Sequence, residues 1–179
     1  MKNFSFQEFK PTIFFLGKFL GLYLAGNLLY GLFVTHFSPK PDPATRWVSE
    51  QTGFVLTACG WPTDVYDHHR KATSLLRYDE REILGIYEGC NGLNTMIIFA
   101  AFLFAFGPVN KKLFWFIPLG LLIIHLANLL RITLLFFVAE YRPDAMYFVH
   151  KYVFTAILYL VIFVLWVWWV KKFALEKSE

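Results

Sequence analysis

Glu88-Gly89-Cys90-Asn91-Gly92-Leu93 stands where a polar segment gives way to an apolar run that continues to Phe106. The run is expected to be helical, and the start of a helix offers unpaired N–H groups and a positive dipole end that favour a thiolate. The flanking glycines allow a ligand to approach the backbone closely. We therefore predict that Cys90 is chemically active. The alternatives are an inert buried thiol and a disulfide with Cys59.

The composition predicts a membrane protein. Of the 179 residues, 57% are hydrophobic and 20% aromatic, and the mean hydropathy of +0.48 is too high for a soluble domain of this size. The formal net charge is +4, but the basic residues cluster at the ends of apolar runs, as topology signals do. Membrane lipids are therefore the expected partners, and nucleic acid is not.

Four apolar runs predict an all-α membrane protein with about four transmembrane helices, since about 20 apolar residues cross a hydrocarbon layer of about 30 Å. The predicted spans are residues 13–34, 92–107, 113–138 and 146–170. A small extracytoplasmic α+β segment, residues 38–89, is predicted between the first and second spans, and residues 1–179 are expected to form one integral membrane domain. Since the first run is long and no small-x-small cleavage site follows it, an uncleaved anchor is expected.

The polar segment carries signals for one helix and one hairpin. Asp42 is suited to cap a helix, Pro43 to occupy its first turn and Gly60 to stop it. Residues 74–78 and 83–87 are short β-type runs on either side of a charged turn, so they predict a hairpin that leads directly into the cysteine.

The distribution of lysines predicts how the chain is oriented in the membrane. The N-terminal tail, the Lys111-Lys112 loop and the C-terminal tail are Lys-rich, and an even number of spans puts all three on the cytoplasmic side. Cys90 then begins the second span at the outer surface, and His150 lies about a turn into the fourth span. Arg131 lies roughly 10 Å below the outer end of the third span. Three reactive side chains on three segments therefore converge on one membrane face.

Arg131 stands inside an apolar span, where an unpaired arginine costs a few kcal/mol or more. It either lines a functional polar pocket or pairs with a carboxylate such as Glu140 or Glu88. Asn128 lies one turn earlier on the same helical face, which favours a polar pocket. His150 is either a member of that pocket or an ordinary interfacial histidine.

Other polar residues carry weaker signals. His68 and His69 are adjacent but have no third ligand at a suitable spacing, so no metal site is predicted. His125 lies deeper and on another face of its helix than Arg131, so packing or a hydrogen bond to a neighbouring helix is expected. Cys59 continues an apolar helical stripe, which predicts a packed thiol.

Together, Glu88-Gly89-Cys90-Asn91-Gly92-Leu93, Asn128-Leu129-Leu130-Arg131-Ile132 and His150, in this order on successive segments, resemble the exosortase/archaeosortase transpeptidases. The resemblance covers residues 85–172. It implies a multi-pass enzyme of the bacterial inner (cytoplasmic) membrane whose active site faces the periplasm or exterior. Such an enzyme cleaves exported proteins at a C-terminal sorting signal made of a short motif, a transmembrane helix and a basic tail. Many members are longer, so this chain resembles the compact ones.

Residue by residue, the resemblance implies that Cys90, Arg131 and His150 are catalytic. The Cys90 thiolate would attack the scissile carbonyl to give a thioester, with His150 as base and then acid. Arg131 would stabilise the developing oxyanion or hold the substrate carbonyl. No metal or organic cofactor is required. Four further residues are expected to bind substrate or support the site: Glu88, Asn91, Gly92 and Asn128.

A second class of function also fits the sequence. The chain could be a non-enzymatic membrane scaffold or a small transporter subunit in which Arg131 binds an anionic lipid or substrate. The cysteine discriminates between the two, because a scaffold has no use for a nucleophile beside a base.

Overall fold

The computed structural model describes residues 6–107 and 109–174. Its helices and strands are α1 (Phe6–Phe37), α2 (Pro43–Ala58), β1 (Asp64–Asp67), β2 (Thr73–Tyr78), β3 (Arg81–Tyr87), α3 (Leu93–Phe106), α4 (Lys111–Tyr141), α5 (Met146–Phe148) and α6 (Phe154–Trp169). A π-helical turn, Val149–Val153, joins α5 to α6, and short 3-10 turns at Glu88–Cys90 and Pro143–Ala145 precede α3 and α5.

Three helical stretches in the described residues are long and apolar enough to cross a membrane: Phe9–Phe37, Lys111–Tyr141 and Pro143–Lys172. The prediction of a multi-pass helical membrane protein is therefore confirmed. The second predicted span, residues 92–107, is not confirmed as a span, because α3 has only 14 residues. At 1.5 Å per residue it is about 21 Å long, against about 30 Å of hydrocarbon. Gly92 and Gly107 lie just outside α3 rather than within it.

Helix α2 begins as its sequence predicts. The Asp42 carboxylate accepts hydrogen bonds from the backbone N–H groups of Ala44 and Thr45, each at 3.0 Å, and Pro43 stands in the first turn. The helix ends at Ala58, just before Gly60, whose φ of +91° continues no helix. Cys59 at this end is exposed, so the prediction that it packs in the interior is wrong.

The sheet contains the predicted hairpin and one strand that was not predicted. Strands β2 and β3 are antiparallel and meet in a tight turn at Asp79 and Glu80, both with positive φ. The predicted four-residue turn is therefore two residues long, and Arg81 and Glu82 already belong to β3. Strand β1, only four residues long and with an aspartate at each end, adds antiparallel to β2.

Aromatic side chains and an ion pair fix the sheet on the C-terminal end of α4. The Trp61 ring contacts the rings of Tyr78, Phe136, Phe137 and Tyr141, with centroids 4.8 to 6.2 Å apart. Nearby, the Arg81 guanidinium donates to the Glu140 carboxylate at 2.7 Å. Glu140 is thus the partner of Arg81, and the alternative in which it neutralises Arg131 is not observed.

Two buried hydrophobic clusters lie along α4. The first joins α3, α4 and α6 through side chains such as Phe99, Phe116 and Trp169. The second joins α2, the sheet and the C-terminal half of α4, through side chains such as Leu56, Leu76 and Phe136, and it includes Cys90. The cysteine therefore lies where the sheet meets the membrane helices.

Candidate active site

Cys90 ends the 3-10 turn between β3 and α3, and it is buried. The chain then passes through Gly92, whose φ of +84° lies in the left-handed region that glycine occupies most readily. A Cβ on this residue would also lie 3.1 Å from the Asn128 amide. Gly92 therefore permits both the sharp entry into α3 and the close approach of α4 to the cysteine loop.

The Asn91 side chain holds this loop in place. Its Oδ1 accepts a hydrogen bond from Leu93 N–H at 2.9 Å, which satisfies one N–H group of the first turn of α3. Its Nδ2 donates to the Tyr30 hydroxyl at 2.9 Å and to the Thr45 hydroxyl at 3.1 Å. Tyr30 in turn donates to the Glu88 carbonyl at 2.9 Å. One buried amide thus ties α1, α2 and α3 together beside the cysteine.

Cys90, His150 and Arg131 are in direct contact. The Cys90 Sγ lies 3.5 Å from His150 Nε2, and the same nitrogen lies 3.2 Å from Arg131 Nη2. A guanidinium can only donate, so His150 Nε2 accepts in this contact and the neutral ring carries its proton on Nδ1. The unprotonated nitrogen is therefore the one that faces the thiol.

Asn128 connects Arg131 to the cysteine backbone. Its Nδ2 donates to the Cys90 carbonyl at 2.9 Å, and its Oδ1 accepts from Arg131 Nη1 at 3.3 Å. Among the described residues, the buried Nε of Arg131 has no hydrogen-bond acceptor. Arg131 is therefore oriented by Asn128 and His150 while one of its donors stays available.

His150 lies in the π-helical turn Val149–Val153, which interrupts the uniform helix predicted for residues 146–170. Its carbonyl accepts a hydrogen bond from the Thr155 hydroxyl, five residues later, at 3.1 Å. A π turn inserts one extra residue into a helix, and such turns are frequent at functional sites. Here the turn contains the residue that faces both Cys90 and Arg131.

An open cavity of about 270 Å³ borders the cysteine and the histidine. Apolar side chains from the sheet, from α4 and from α5 form most of its wall, among them Ile86, Leu135 and Met146. Its lining also includes Tyr87 and Tyr147. The cavity therefore offers a largely apolar cleft with the thiol and the imidazole on its wall.

Tyr87 is a residue of this site that the sequence reasoning missed. A Cβ on Gly89 would lie 2.5 Å from the Tyr87 ring, so the absence of a side chain at Gly89 leaves room for the ring. Hydrogen bonding to the Tyr87 backbone and side chain favours the Cys90 thiolate. The signal in the sequence is Gly89 itself, although a glycine does not reveal which ring lies over it.

The pKa of the Cys90 thiol is raised by burial, and the positive charge of Arg131 opposes this only in part. The expectation that the start of α3 favours a thiolate is therefore not met. Helix α3 begins three residues later, at Leu93, and desolvation is the larger effect. A thiol that stays protonated needs a neighbouring base, and His150 Nε2 lies within reach.

The remaining predicted residues are placed differently. Glu88 contributes its backbone carbonyl to the Tyr30 contact, and its carboxylate has no hydrogen bond in the described part of the chain. His125 bonds to Gln51 on α2 at 2.7 Å, which agrees with its predicted role. His68 Nδ1 accepts from a nearby backbone N–H. Cys59 and Cys90 are both free.

No group of three histidine, cysteine or carboxylate side chains suited to a metal ion occurs within residues 6–107 and 109–174. The side-chain groups in contact at this site are one thiol, one imidazole and one guanidinium. This set is suited to nucleophilic and acid–base chemistry.

Comparison with known proteins links this geometry to a family. The family model described as transmembrane exosortase matches residues 12–169, which is most of the chain and includes all three residues in contact. No curated protein and no solved structure matches the chain at a significant level.

Proposed function

The chain belongs to the transmembrane exosortase family, and we propose that it is a membrane-embedded cysteine protease or transpeptidase that cleaves C-terminal sorting signals of exported proteins. The observation that carries the proposal is the contact of Cys90 Sγ with His150 Nε2 at 3.5 Å, beside the Arg131 guanidinium. A thiol, a base and a fixed cation are the groups that acyl transfer through a thioester needs.

In the first step, the Cys90 proton moves to His150 Nε2. The imidazolium then has a proton on each ring nitrogen and can no longer accept from Arg131. Both cations now face the new thiolate and stabilise it, and the attraction is strong because Cys90 is buried. The proton transfer therefore frees the Arg131 Nη2 donor at the moment when negative charge appears.

In the second step, the thiolate attacks the scissile carbonyl and the charge moves from sulfur to the carbonyl oxygen. Arg131 can follow this charge with its freed Nη2 and with Nε, which has no acceptor among the described residues. The tetrahedral intermediate collapses when His150 Nε2–H protonates the leaving amine. The products are a new N-terminus on the released segment and a thioester on Cys90.

In the third step, an amine, a hydroxyl or water attacks the thioester, and His150 removes the proton of the attacking group. Collapse of this second intermediate returns the proton to Cys90 as the thiol and releases the acyl group as a transfer or hydrolysis product. Every proton transferred in the cycle passes through the His150 imidazole, so the proton transfers balance without a cofactor.

We place the site on the outer face of the cytoplasmic membrane, with both termini inside and α3 as a fourth, short span. The lysines of the Lys111-Lys112 loop and of both tails support this orientation. Cys59 is exposed at the end of α2 and provides a direct test in a Cys90→Ser chain. A membrane-impermeant thiol reagent should label it from outside intact cells, whereas labelling only after lysis would reverse the orientation.

The scaffold or transporter alternative is less well supported. It could use the Arg131 Nε, which has no acceptor among the described residues, but it leaves the contact of Cys90 Sγ with His150 Nε2 without a purpose.

The experiment that tests the proposal compares the two free cysteines. Cys90→Ala should abolish processing of a tagged exported reporter that ends in a sorting signal, because no nucleophile remains. Cys59→Ser should process it normally, since Cys59 is exposed and lies at the end of α2. Immunoblots at matched protein levels give the readout. Processing by Cys90→Ala, or equal loss in both variants, would refute the proposed nucleophile.

A further inference from the structure

Helix α2 exposes aromatic side chains and buries hydroxyl groups. Trp47 is 55% exposed and Phe54 76% exposed, and their spacing of seven residues places both on one face of the helix. The opposite face buries the hydroxyl side chains of Thr45, Ser49 and Thr52 completely, together with Val48 and Leu56. The unusual side of α2 is therefore its outer face, because a helix face in contact with water normally carries polar side chains.

The same face contacts α4 deep within its length. The Trp47 ring stacks on the His125 ring, with centroids 4.9 Å apart and planes 14° from parallel, and Gln51 bonds to the same histidine at 2.7 Å. His125 is about 21 Å from Lys111 and about 24 Å from Tyr141 along the helix axis. A hydrocarbon layer of about 30 Å includes His125 wherever it is placed along a helix of about 45 Å. Trp47 therefore lies at hydrocarbon depth.

The exposed surface of α4 beside this contact is also apolar. Leu122 and Leu126 flank His125 in the sequence and are 54% and 55% exposed. An almost wholly apolar cavity of about 260 Å³ opens between α2, α3 and α4, with Trp47 and Leu122 in its wall. The apolar surface of the spanning helix thus continues onto α2, and the polar groups of Gln51 and His125 at this junction bond to each other.

Charged groups border the aromatic strip on the side of the sheet. Glu50 lies one helical turn from both Trp47 and Phe54, and it bonds to Arg46 at 3.0 Å, which also bonds to Asp67 of β1 at 3.4 Å. Because Trp47 contacts His125 and Trp61, just beyond the end of α2, contacts Tyr141, α2 runs alongside α4 and not across it. The strip therefore lies beside the outer surface of α4 over the length of α2.

We propose that the α2 strip, Trp47 and Phe54, is immersed in the acyl chains of the leaflet on the sheet side. The occupant is lipid hydrocarbon, because the strip continues the lipid-facing surface of α4. Part of the predicted extracytoplasmic segment, residues 38–89, then lies within the membrane. The immersion also has a consequence for the site, because Thr45 on the same helix bonds to Asn91, the neighbour of Cys90. Lipid contact through α2 therefore fixes the depth of the cysteine loop in the membrane.

The test compares a spin label on the strip with one on the charged edge of the sheet. In the full chain carrying Cys59→Ser and Cys90→Ser, a nitroxide is attached at Phe54→Cys or, as the matched control, at Asp64→Cys at the start of β1. Phe54 and the Asp64 side chain are both 76% exposed, so neither change opens the core. Each protein is reconstituted into phosphatidylethanolamine–phosphatidylglycerol vesicles, and collisions with oxygen and with a water-soluble nickel chelate are measured by electron paramagnetic resonance.

At Phe54→Cys, oxygen should collide several-fold more often than the nickel chelate, because oxygen concentrates in hydrocarbon and the chelate is excluded from it. At Asp64→Cys the ratio should be reversed. A high chelate collision rate at Phe54→Cys would show that the strip faces water. Low accessibility to both reagents would show that protein covers it, either a second copy or a partner. Either result would overturn the proposal, and neither depends on catalytic activity.

Discussion

Replacement of Arg131 by lysine separates a catalytic arginine from a merely neutralising one. Arg131→Lys keeps the positive charge but reduces three nitrogens to one. The guanidinium contacts Asn128 and His150 at 3.3 and 3.2 Å through different nitrogens, and its Nε stays available. A single ammonium cannot hold the Asn128 contact and supply planar donors to an oxyanion at the same time.

The expected loss follows from these contacts. Removing one oxyanion donor costs about 2.7–4 kcal/mol, which corresponds to a decrease of about 10²–10³ in turnover. The assay is initial-rate processing of the tagged reporter in membranes that contain equal amounts of each variant. Arg131→Ala should be at least as impaired as Arg131→Lys. Glu140→Gln is the matched control and should stay near wild type, because Glu140 bonds to Arg81.

The result that would refute this reasoning is near-wild-type processing by Arg131→Lys. Charge alone would then suffice, and the oxyanion donors would have to be found elsewhere. The backbone N–H groups of Asn91 and Gly92, at the start of α3, would be the next groups to consider.

Two further predictions follow from the cysteine loop. Because burial raises the pKa of Cys90, its alkylation by iodoacetamide in a Cys59→Ser chain should keep rising, about tenfold per pH unit, past the ordinary thiol pKa of about 8.5. Arg131→Ala should move the midpoint higher still, and a midpoint below about 8.5 would contradict the stated burial effect. Asn91→Ala removes three hydrogen bonds and should lower processing at least about tenfold, since each unsatisfied buried partner costs about 1–3 kcal/mol. Asn94→Ala, an exposed change in the first turn of α3, is its control, and equal rates would show that the loop does not depend on the amide.

The sequence predicted the elements whose signals are local. The Asp42 cap, the hairpin and the limits of α3 follow from capping residues, alternation and glycine positions within a few residues. That Cys90 and His150 lie near each other could also be predicted, because the lysine distribution placed both near one membrane surface. Hydropathy could not decide whether α3 crosses the membrane. Its residues are apolar enough for a transmembrane helix, but the helix has only 14 residues.

Features that depend on distant residues could not be predicted in this way. Asn91 bonds to Tyr30 and Thr45, which lie 61 and 46 residues away, so no local pattern reveals the network. Burial of Cys90 under the sheet reverses the expected effect of the helix start on its pKa. Strand β1 has too few apolar residues to be recognised from its own sequence. It forms because it pairs with the edge of β2.

In the proposed cycle, Cys90 Sγ carries the acyl group of the cleaved substrate. This acyl-enzyme can be detected by intact-mass spectrometry of the protein captured from cells that produce the tagged reporter, before and after treatment with hydroxylamine. We expect an adduct on Cys90 whose mass equals the reporter up to the cleaved bond, and hydroxylamine should release it as it releases a thioester. An adduct that maps to another residue, or reporter processing that continues in Cys90→Ala, would show that Cys90 is not the nucleophile.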